Sequence, residues 1–237
     1  MNFEQKVLSW AERRPDVRAI LVVGSGARRH HPADEWSDLD LEIFTTDSDP
    51  YLTGVPDIEE IGLVLVSIPF DKGDGYPEHL VLFEGVKKVD FAFSPIEKLR
   101  RLTYEQPLDE LYERGYYVLL DKDGLAAQMP APTFAAPPLV RPTEEAFIEA
   151  VNAFWYHAHQ IAKLIRRRDL WNVKTWDALL KEHLLQVMEW HARATRGWEH
   201  DTWHSGRFLP EWADAETWAA LQHSFAHFDA EDSWRAL

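Results

Sequence analysis

The sequence predicts an α+β fold in two parts, a β-sheet flanked by helices followed by a helical bundle. Three observations carry this. Up to about residue 120, short runs rich in Val, Ile, Leu and Phe are separated by turn residues, as strands require. Residues 130–142, PAPTFAAPPLVRP, hold five prolines, which lack an amide donor and keep the preceding residue out of the helical region. Beyond them the apolar spacing becomes helical. The expected division is a first domain at 1–129, a linker at 130–142 and a helical domain at 143–237.

The elements follow in order. Phe3, Val7, Leu8 and Ala11 share one side of a helix over 3–13. RAILVVG (18–24) reads as a buried strand ended by glycine, LDLEIF (39–44) as a second and IGLVLVSI (61–68) as a third. HLVLFEG (79–85) and KKVDFAF (87–93) read as a hairpin turning at Glu84-Gly85. In SPIEKLRRL (94–102) Ser94 is expected to cap a helix, and YYVLL (116–120) is a short strand. Thr143 caps the next helix, with acidic residues in its first turn to suit the dipole. Val151, Phe154, Trp155, Ala158, Ile161, Ala162 and Ile165 keep helical spacing, as do Leu180, Leu184, Val187, Met188 and His191. A later helix is expected from about 214 to 227.

Composition narrows the chemistry. Apolar residues make up 46% of the 237 positions, enough for a packed core. With no cysteine, disulfides, thiolate metal sites and thiol nucleophiles are excluded. MNFEQKVLSWAERR has no apolar run of signal-peptide type, and no run approaches the roughly 20 residues of a membrane span, so a cytoplasmic location and no membrane partner are expected. The net charge of −15 repels phosphate backbones, so no nucleic-acid partner is expected, while a cationic small molecule would be attracted.

The informative stretch is GSGARRHHPADEWSDLD (24–40), where a buried strand meets a glycine turn and then two aspartates enter the next strand. Strand alternation points Asp38, Asp40 and Glu42 the same way. Carboxylates that converge repel unless a cation sits between them, and an oxygen-only set without His or Cys selects a hard ion such as Mg²⁺. Gly24 and Ser25 can turn tightly and offer amides and a hydroxyl to a phosphate. This is no Walker loop, since Gly26 is followed by Ala-Arg-Arg rather than Lys-Ser/Thr.

Strand, Gly-Ser, spacer and SDLDLEIF together resemble the signature of the DNA polymerase β-type nucleotidyltransferase superfamily. That resemblance implies a nucleoside triphosphate on the Gly-Ser turn and Mg²⁺ on both aspartates and on a third carboxylate, here Asp90 in VDFAF. A narrower resemblance spans nearly the whole chain: LVLFEGVKKVDFAFSPI, YVLLDKDG, RPTEEAF, NAFWYHAHQIAKLIRR and LLQVMEWHA are similar to the aminoglycoside 6-adenylyltransferase family. It implies a mixed sheet in the first domain and a helical domain that closes over nucleotide and acceptor. It also implies Gly24, Ser25, Arg28, Ser37, Lys163 and Arg207 as nucleotide contacts, and Asp38, Asp40 and Asp90 as the catalytic carboxylates holding two Mg²⁺ ions. Asp90 is expected to complete the second metal site or to accept the hydroxyl proton. The sequence departs from the family at Gly26, where an arginine is usual and the nearest here are Arg28 and Arg29, and at Arg207, where a lysine is usual. Family members continue into further helices past the segment matching DAEDSWRAL, where this chain ends.

Other residues leave two readings open. Lys163 is either a point charge for the triphosphate or an exposed helix lysine, while Arg166-Arg167-Arg168 and Lys181 read as solvated. The eleven histidines show no HExxH and are assigned to surface and core, with His183 and His191 on an apolar stripe. Nine of eleven tryptophans fall from Trp155 onward and are expected mainly to pack helices, one or two walling a pocket for a cationic sugar. Glu42, Glu84 and Glu189 could meet ammonium groups. The expected activity is transfer of AMP from MgATP to an aminoglycoside hydroxyl with release of pyrophosphate. The alternatives are the same chemistry on another small-molecule or protein hydroxyl, or a catalytically silent nucleotide-binding protein. Composition gives no oligomeric state.

Overall fold

Six strands form one mixed sheet in the computed structural model, which describes residues 2–136 and 140–237. Pro137, Pro138 and Leu139 of the expected linker lie outside the described residues. The chain divides into two compact units, Met1–Ala135 and Ala136–Leu237.

In the first unit the elements are α1 (Phe3–Glu12), β1 (Val17–Val23), β2 (Leu39–Thr45), β3 (Val64–Phe70), β4 (Glu78–Phe83), β5 (Lys87–Pro95), α2 (Ile96–Leu102), α3 (Glu110–Glu113) and β6 (Tyr117–Asp121). The strand order is β3-β4-β5-β2-β1-β6. Only the β2–β5 pairing is parallel; the other four are antiparallel. Alternation then sorts the side chains. On one face Ile20, Val22, Leu41, Ile43, Phe91 and Phe93 are buried against Val7, Trp10 and Ala11 of α1 and the segment from Tyr51 to Ile61. On the other, Ala19, Leu21, Val23 and Phe44 pack against Leu99 and Leu102 of α2 and Tyr112 of α3. That second face is apolar only around β1 and the end of β2. Farther along it carries Asp40 and Glu42 of β2 and Lys88, Asp90 and Ser94 of β5, and these polar groups determine what the face can do.

Two expectations need correction. Ser94 does not cap α2: the N-cap position is Pro95, with no side-chain cap. The Ser94 hydroxyl is instead drawn to a buried carboxylate, donating to Glu42 Oε1 at 2.6 Å, a stronger partner than an exposed helix amide. Asp38 precedes β2 rather than lying in it, because the ladder to β5 begins at Leu39.

The second unit holds α4 (Glu144–Arg166), α5 (Leu170–Arg196), α6 (Leu209–Trp212), α7 (Ala215–Gln222) and α8 (Ala230–Ala236). Thr143 caps α4 as expected, its Oγ1 accepting from the Ala146 amide at 3.2 Å. The helix expected over 214–227 is shorter, ending at Gln222, and Asp214 caps it. Ala158, Ile161 and Ile165 of α4 pack on Val173 and Leu180 of α5, and Met188 and Ala192 form a second cluster around Trp212. No helix among the described residues is long and apolar enough to cross a membrane.

Candidate active site

The parallel register of β2 and β5 places Asp40 directly beside Asp90. Such neighbours lie about 5 Å apart and send side chains to the same face. Asp38, two residues before Asp40, falls level with Lys88 when the same register is extended. The contacts agree: Lys88 Nζ donates to Asp38 Oδ2 at 2.7 Å and to Asp90 Oδ2 at 3.2 Å. An ammonium therefore stands between two of the three expected carboxylates. Partial burial pulls the Lys88 pKa down, but its hydrogen bonds to Asp38 and Asp90 outweigh this and leave it raised. Burial pushes the Asp90 carboxyl above the usual aspartate range, against the pull of Lys88. Asp90 Oδ1 is buried and 3.1 Å from the Lys88 nitrogen, yet outside hydrogen-bonding geometry, so no described donor satisfies it.

The turn that follows β1 closes on the same spot. Val23 pairs with Asp40 across the antiparallel ladder, so the chain leaving β1 passes the Asp40 side chain at once. Gly24 has φ +61°, and a Cβ there would lie 2.1 Å from Asp40 Oδ2. Glycine is required twice over, for the left-handed backbone and for the space. The Gly24 carbonyl accepts from the amides of Ala27 and Arg28 at 3.3 and 3.2 Å, and Ser25 O accepts from Ala33 N at 2.9 Å. Arg28 Nε donates to the His31 carbonyl at 2.6 Å, which folds the arginine back along its own loop. The Ser37 hydroxyl donates to Asp34 Oδ1 at 2.8 Å and closes the turn before Asp38. Gly24, Ser25, Arg28, Ser37, Asp38, Asp40 and Asp90 thus belong to one region of the first unit.

Next along the sheet, Glu42 is only 2% exposed. It accepts from Ser94 Oγ at 2.6 Å and from Lys98 Nζ at 2.7 Å. The ammonium that the sequence left open for Glu42 is therefore an internal one. Lys72 pairs with the buried Glu78 at 2.5 Å. Its pKa is lowered by desolvation and raised more by Glu78 and Glu42.

Lys163 and Arg207 belong to the second unit and are described within it. Lys163 is exposed, its ammonium donating to Gln160 Oε1 at 3.0 Å. With Ala162, Arg166, Arg167 and Trp234 it lines a cavity of about 350 Å³. Arg207 is exposed, and its carbonyl accepts from Trp212 Nε1 at 2.9 Å. His191 is not a core residue: its side chain is largely exposed and its Nε2 lies 3.0 Å from Asp214 Oδ2. Of the late tryptophans, Trp212 is buried and Trp176 and Trp203 pack against the helical clusters, while Trp155, Trp171, Trp218 and Trp234 are exposed. Glu84 is exposed, and burial raises the Glu189 pKa.

Among the described residues, no group of three or more His, Asp or Glu side chains converges closely enough to hold a metal ion as it stands. The donor chemistry nevertheless fits a hard divalent cation. All donors are oxygens, Asp90 Oδ1 has no described donor to satisfy it, and the missing side chain of Gly24 lets the Asp40 carboxylate lie against the turn.

The sequence reading missed Lys88, Lys98 and Lys72. Lys88 was legible in KKVDFAF, because a residue two before Asp90 on a strand faces the same way. Lys98 reaches Glu42 only because α2 folds back over β2, and no local pattern encodes that.

Comparison with known proteins adds the family. Residues 2–237 match the family model described as streptomycin adenylyltransferase. The chain is 24% identical over 249 residues to an aminoglycoside 6-adenylyltransferase of Bacillus subtilis (strain 168), covering 100% of this chain and 86% of the relative. It is 23% identical over 240 residues to an aminoglycoside 6-adenylyltransferase of Campylobacter jejuni, covering 98% and 80%. A crystal structure of an aminoglycoside 6-adenyltransferase from Bacillus subtilis aligns with a TM-score of 0.39 at 18% identity, covering 100% of this chain and 84% of that one.

Proposed function

Because the chain belongs to the streptomycin adenylyltransferase family, an enzyme family of nucleotidyltransferases, we propose that it transfers AMP from MgATP to a hydroxyl of a streptomycin-like aminoglycoside. The observation that carries this reading is the side-by-side register of Asp40 and Asp90 with Gly24 closed against Asp40. The acceptor oxygen bonds to the α-phosphorus, the α–β P–O bond breaks, pyrophosphate leaves, and the hydroxyl proton passes to a neighbouring carboxylate.

Asp38, Asp40 and Asp90 would hold Mg²⁺. Bound there, the ion would neutralise phosphate charge and polarise the reacting oxygens. The turn at Gly24-Ser25 presents amides and a hydroxyl where the chain bends sharply, which suits phosphate oxygens. Ser37 fixes the approach to Asp38 through Asp34. Arg28 holds the loop between turn and strand through the His31 carbonyl. Lys163 is assigned to the nucleotide as a mobile point charge, and Arg207 as a positive charge without a lysine's geometry.

Charge favours a cationic acceptor. Residues 1–130 carry 14 Lys and Arg against 25 Asp and Glu, a net of −11, so a polycationic sugar is drawn to this unit and a bare triphosphate is not. The test is a pyrophosphate-release screen over amino sugars including streptomycin, run with wild type, Asp38→Asn and Asp40→Asn. Acceptor-dependent release by wild type and its abolition in both variants, with unchanged melting curves, is expected. Release at wild-type rate by either variant overturns the site assignment. ATP binding with no release over the whole panel overturns the activity.

A further inference from the structure

We propose that Lys88 is a built-in counter-ion for the carboxylate set, holding Asp38 and Asp90 together before a divalent cation loads and giving up that place when it does. The inference rests on the function proposed above and concerns a residue that neither the motif nor the family comparison singles out.

The argument is geometric. Asp38 lies just before β2, Asp90 lies within β5, and the Lys88 ammonium reaches both, at 2.7 Å and at 3.1–3.2 Å. Two carboxylates brought this close repel unless a cation lies between them. The neighbouring lysine points elsewhere, with Lys87 Nζ donating to the Ser37 carbonyl at 3.2 Å. Lys88 is also only half-buried, with a flexible four-carbon stem, so its ammonium can leave without unpacking the sheet. Its position therefore differs from that of Lys98, whose partner Glu42 is sealed in the core.

An ammonium and a divalent cation cannot both stand between the same oxygens, since like charges at that range repel strongly. Lys88 thus competes with the metal for Asp38 and Asp90. It keeps Asp38 and Asp90 together and offsets part of their charge, and it weakens binding of metal without nucleotide. Once displaced, it remains beside the site as a positive charge available to an anionic ligand.

The test is Mn²⁺ binding to the full chain without nucleotide, read from the electron paramagnetic resonance signal of free Mn²⁺ at one pH and ionic strength. Lys88→Met is expected to bind Mn²⁺ on the order of tenfold more tightly than wild type. Lys87→Met removes the same charge without touching a carboxylate and is expected to change affinity by less than about threefold. Lys88→Arg keeps the charge and is expected to stay near wild type. A structural role for Lys88 would give weaker or equal binding in Lys88→Met, and that result overturns the inference, as does equal tightening in Lys87→Met. Melting curves establish that each variant is folded. If wild type binds Mn²⁺ and releases pyrophosphate while Lys88→Met binds no tighter, only this inference falls. If no variant binds Mn²⁺ and none releases pyrophosphate, the proposed function falls with it.

Discussion

Gly24→Ala separates the two demands made on the turn after β1. The added Cβ would lie 2.1 Å from Asp40 Oδ2 and 2.9 Å from its Cγ, whereas ordinary contact begins at 3.4 Å. Asp40 or the turn must therefore move by about 1.3 Å. A displacement of about 1 Å in a reacting constellation costs roughly 10²-fold in rate. The backbone adds its own penalty, because φ +61° costs an alanine about 1–2 kcal/mol. For a chain of this size that is a drop in Tm of roughly 2–8 °C. Gly26→Ala is the control: its Cβ would meet only Val22 Cγ1, at 3.0 Å, in an ordinary backbone conformation. Pyrophosphate release and differential scanning calorimetry on both variants read the two effects separately. Gly24→Ala is expected to lose at least about 10²-fold in turnover while still folding, and Gly26→Ala much less. Wild-type turnover in Gly24→Ala would refute the claim that the turn sets the Asp40 position.

Three further outcomes follow from the geometry. Lys98→Met strands Glu42 at 2% exposure without its cation and is expected to cost about 3–5 kcal/mol in urea unfolding, most of it recovered in Glu42→Met/Lys98→Met. A double variant no more stable than Lys98→Met would contradict this. Glu189 has its pKa raised by burial, so the folded chain binds that proton more tightly than the unfolded one, and stability falls as pH rises from the unfolded value near 4.5 through the folded value. Glu189→Gln should therefore raise Tm at neutral pH, with the gain fading as pH is lowered toward 4.5, and a lower Tm at neutral pH would reverse the sign. Excess chelator is expected to weaken ATP binding measured by calorimetry by at least about tenfold, since a unit with a net charge of −11 repels a triphosphate that carries no divalent cation; equally strong binding under chelator would overturn the assignment of the carboxylates.

Much of the first unit was legible locally. The strands over 17–23, 39–45 and 117–121 and the hairpin of β4 and β5 lie within one or two residues of where apolar runs and turn residues put them. Gly85 marks the reversal expected at Glu84-Gly85 and takes positive φ; Val86 does so too, which a β-branched residue does not announce. The short α3 carried no such signal, since four residues hold no period. Ser94 was misread for a related reason: a serine before a helix predicts a cap only while no buried carboxylate competes for its hydroxyl. His191 sits on an apolar stripe in sequence but near the end of α5, where Asp214 approaches from the start of α7 and keeps it outside the core.

The sequence alone determined most strands of the sheet, the change to helical spacing after the prolines, and the pairing of Asp38 with Asp40 beside a glycine turn, because periodicity, proline and glycine act over a few residues. It could not determine that β2 and β5 run parallel with Asp40 opposite Asp90. That register joins segments fifty residues apart and is selected by burial of Leu41, Ile43, Phe91 and Phe93 on the opposite face. The same long-range packing brought Lys88 between Asp38 and Asp90 and Lys98 onto Glu42. Which cation answers a carboxylate is decided by distance through space, and only the folded sheet fixes that distance.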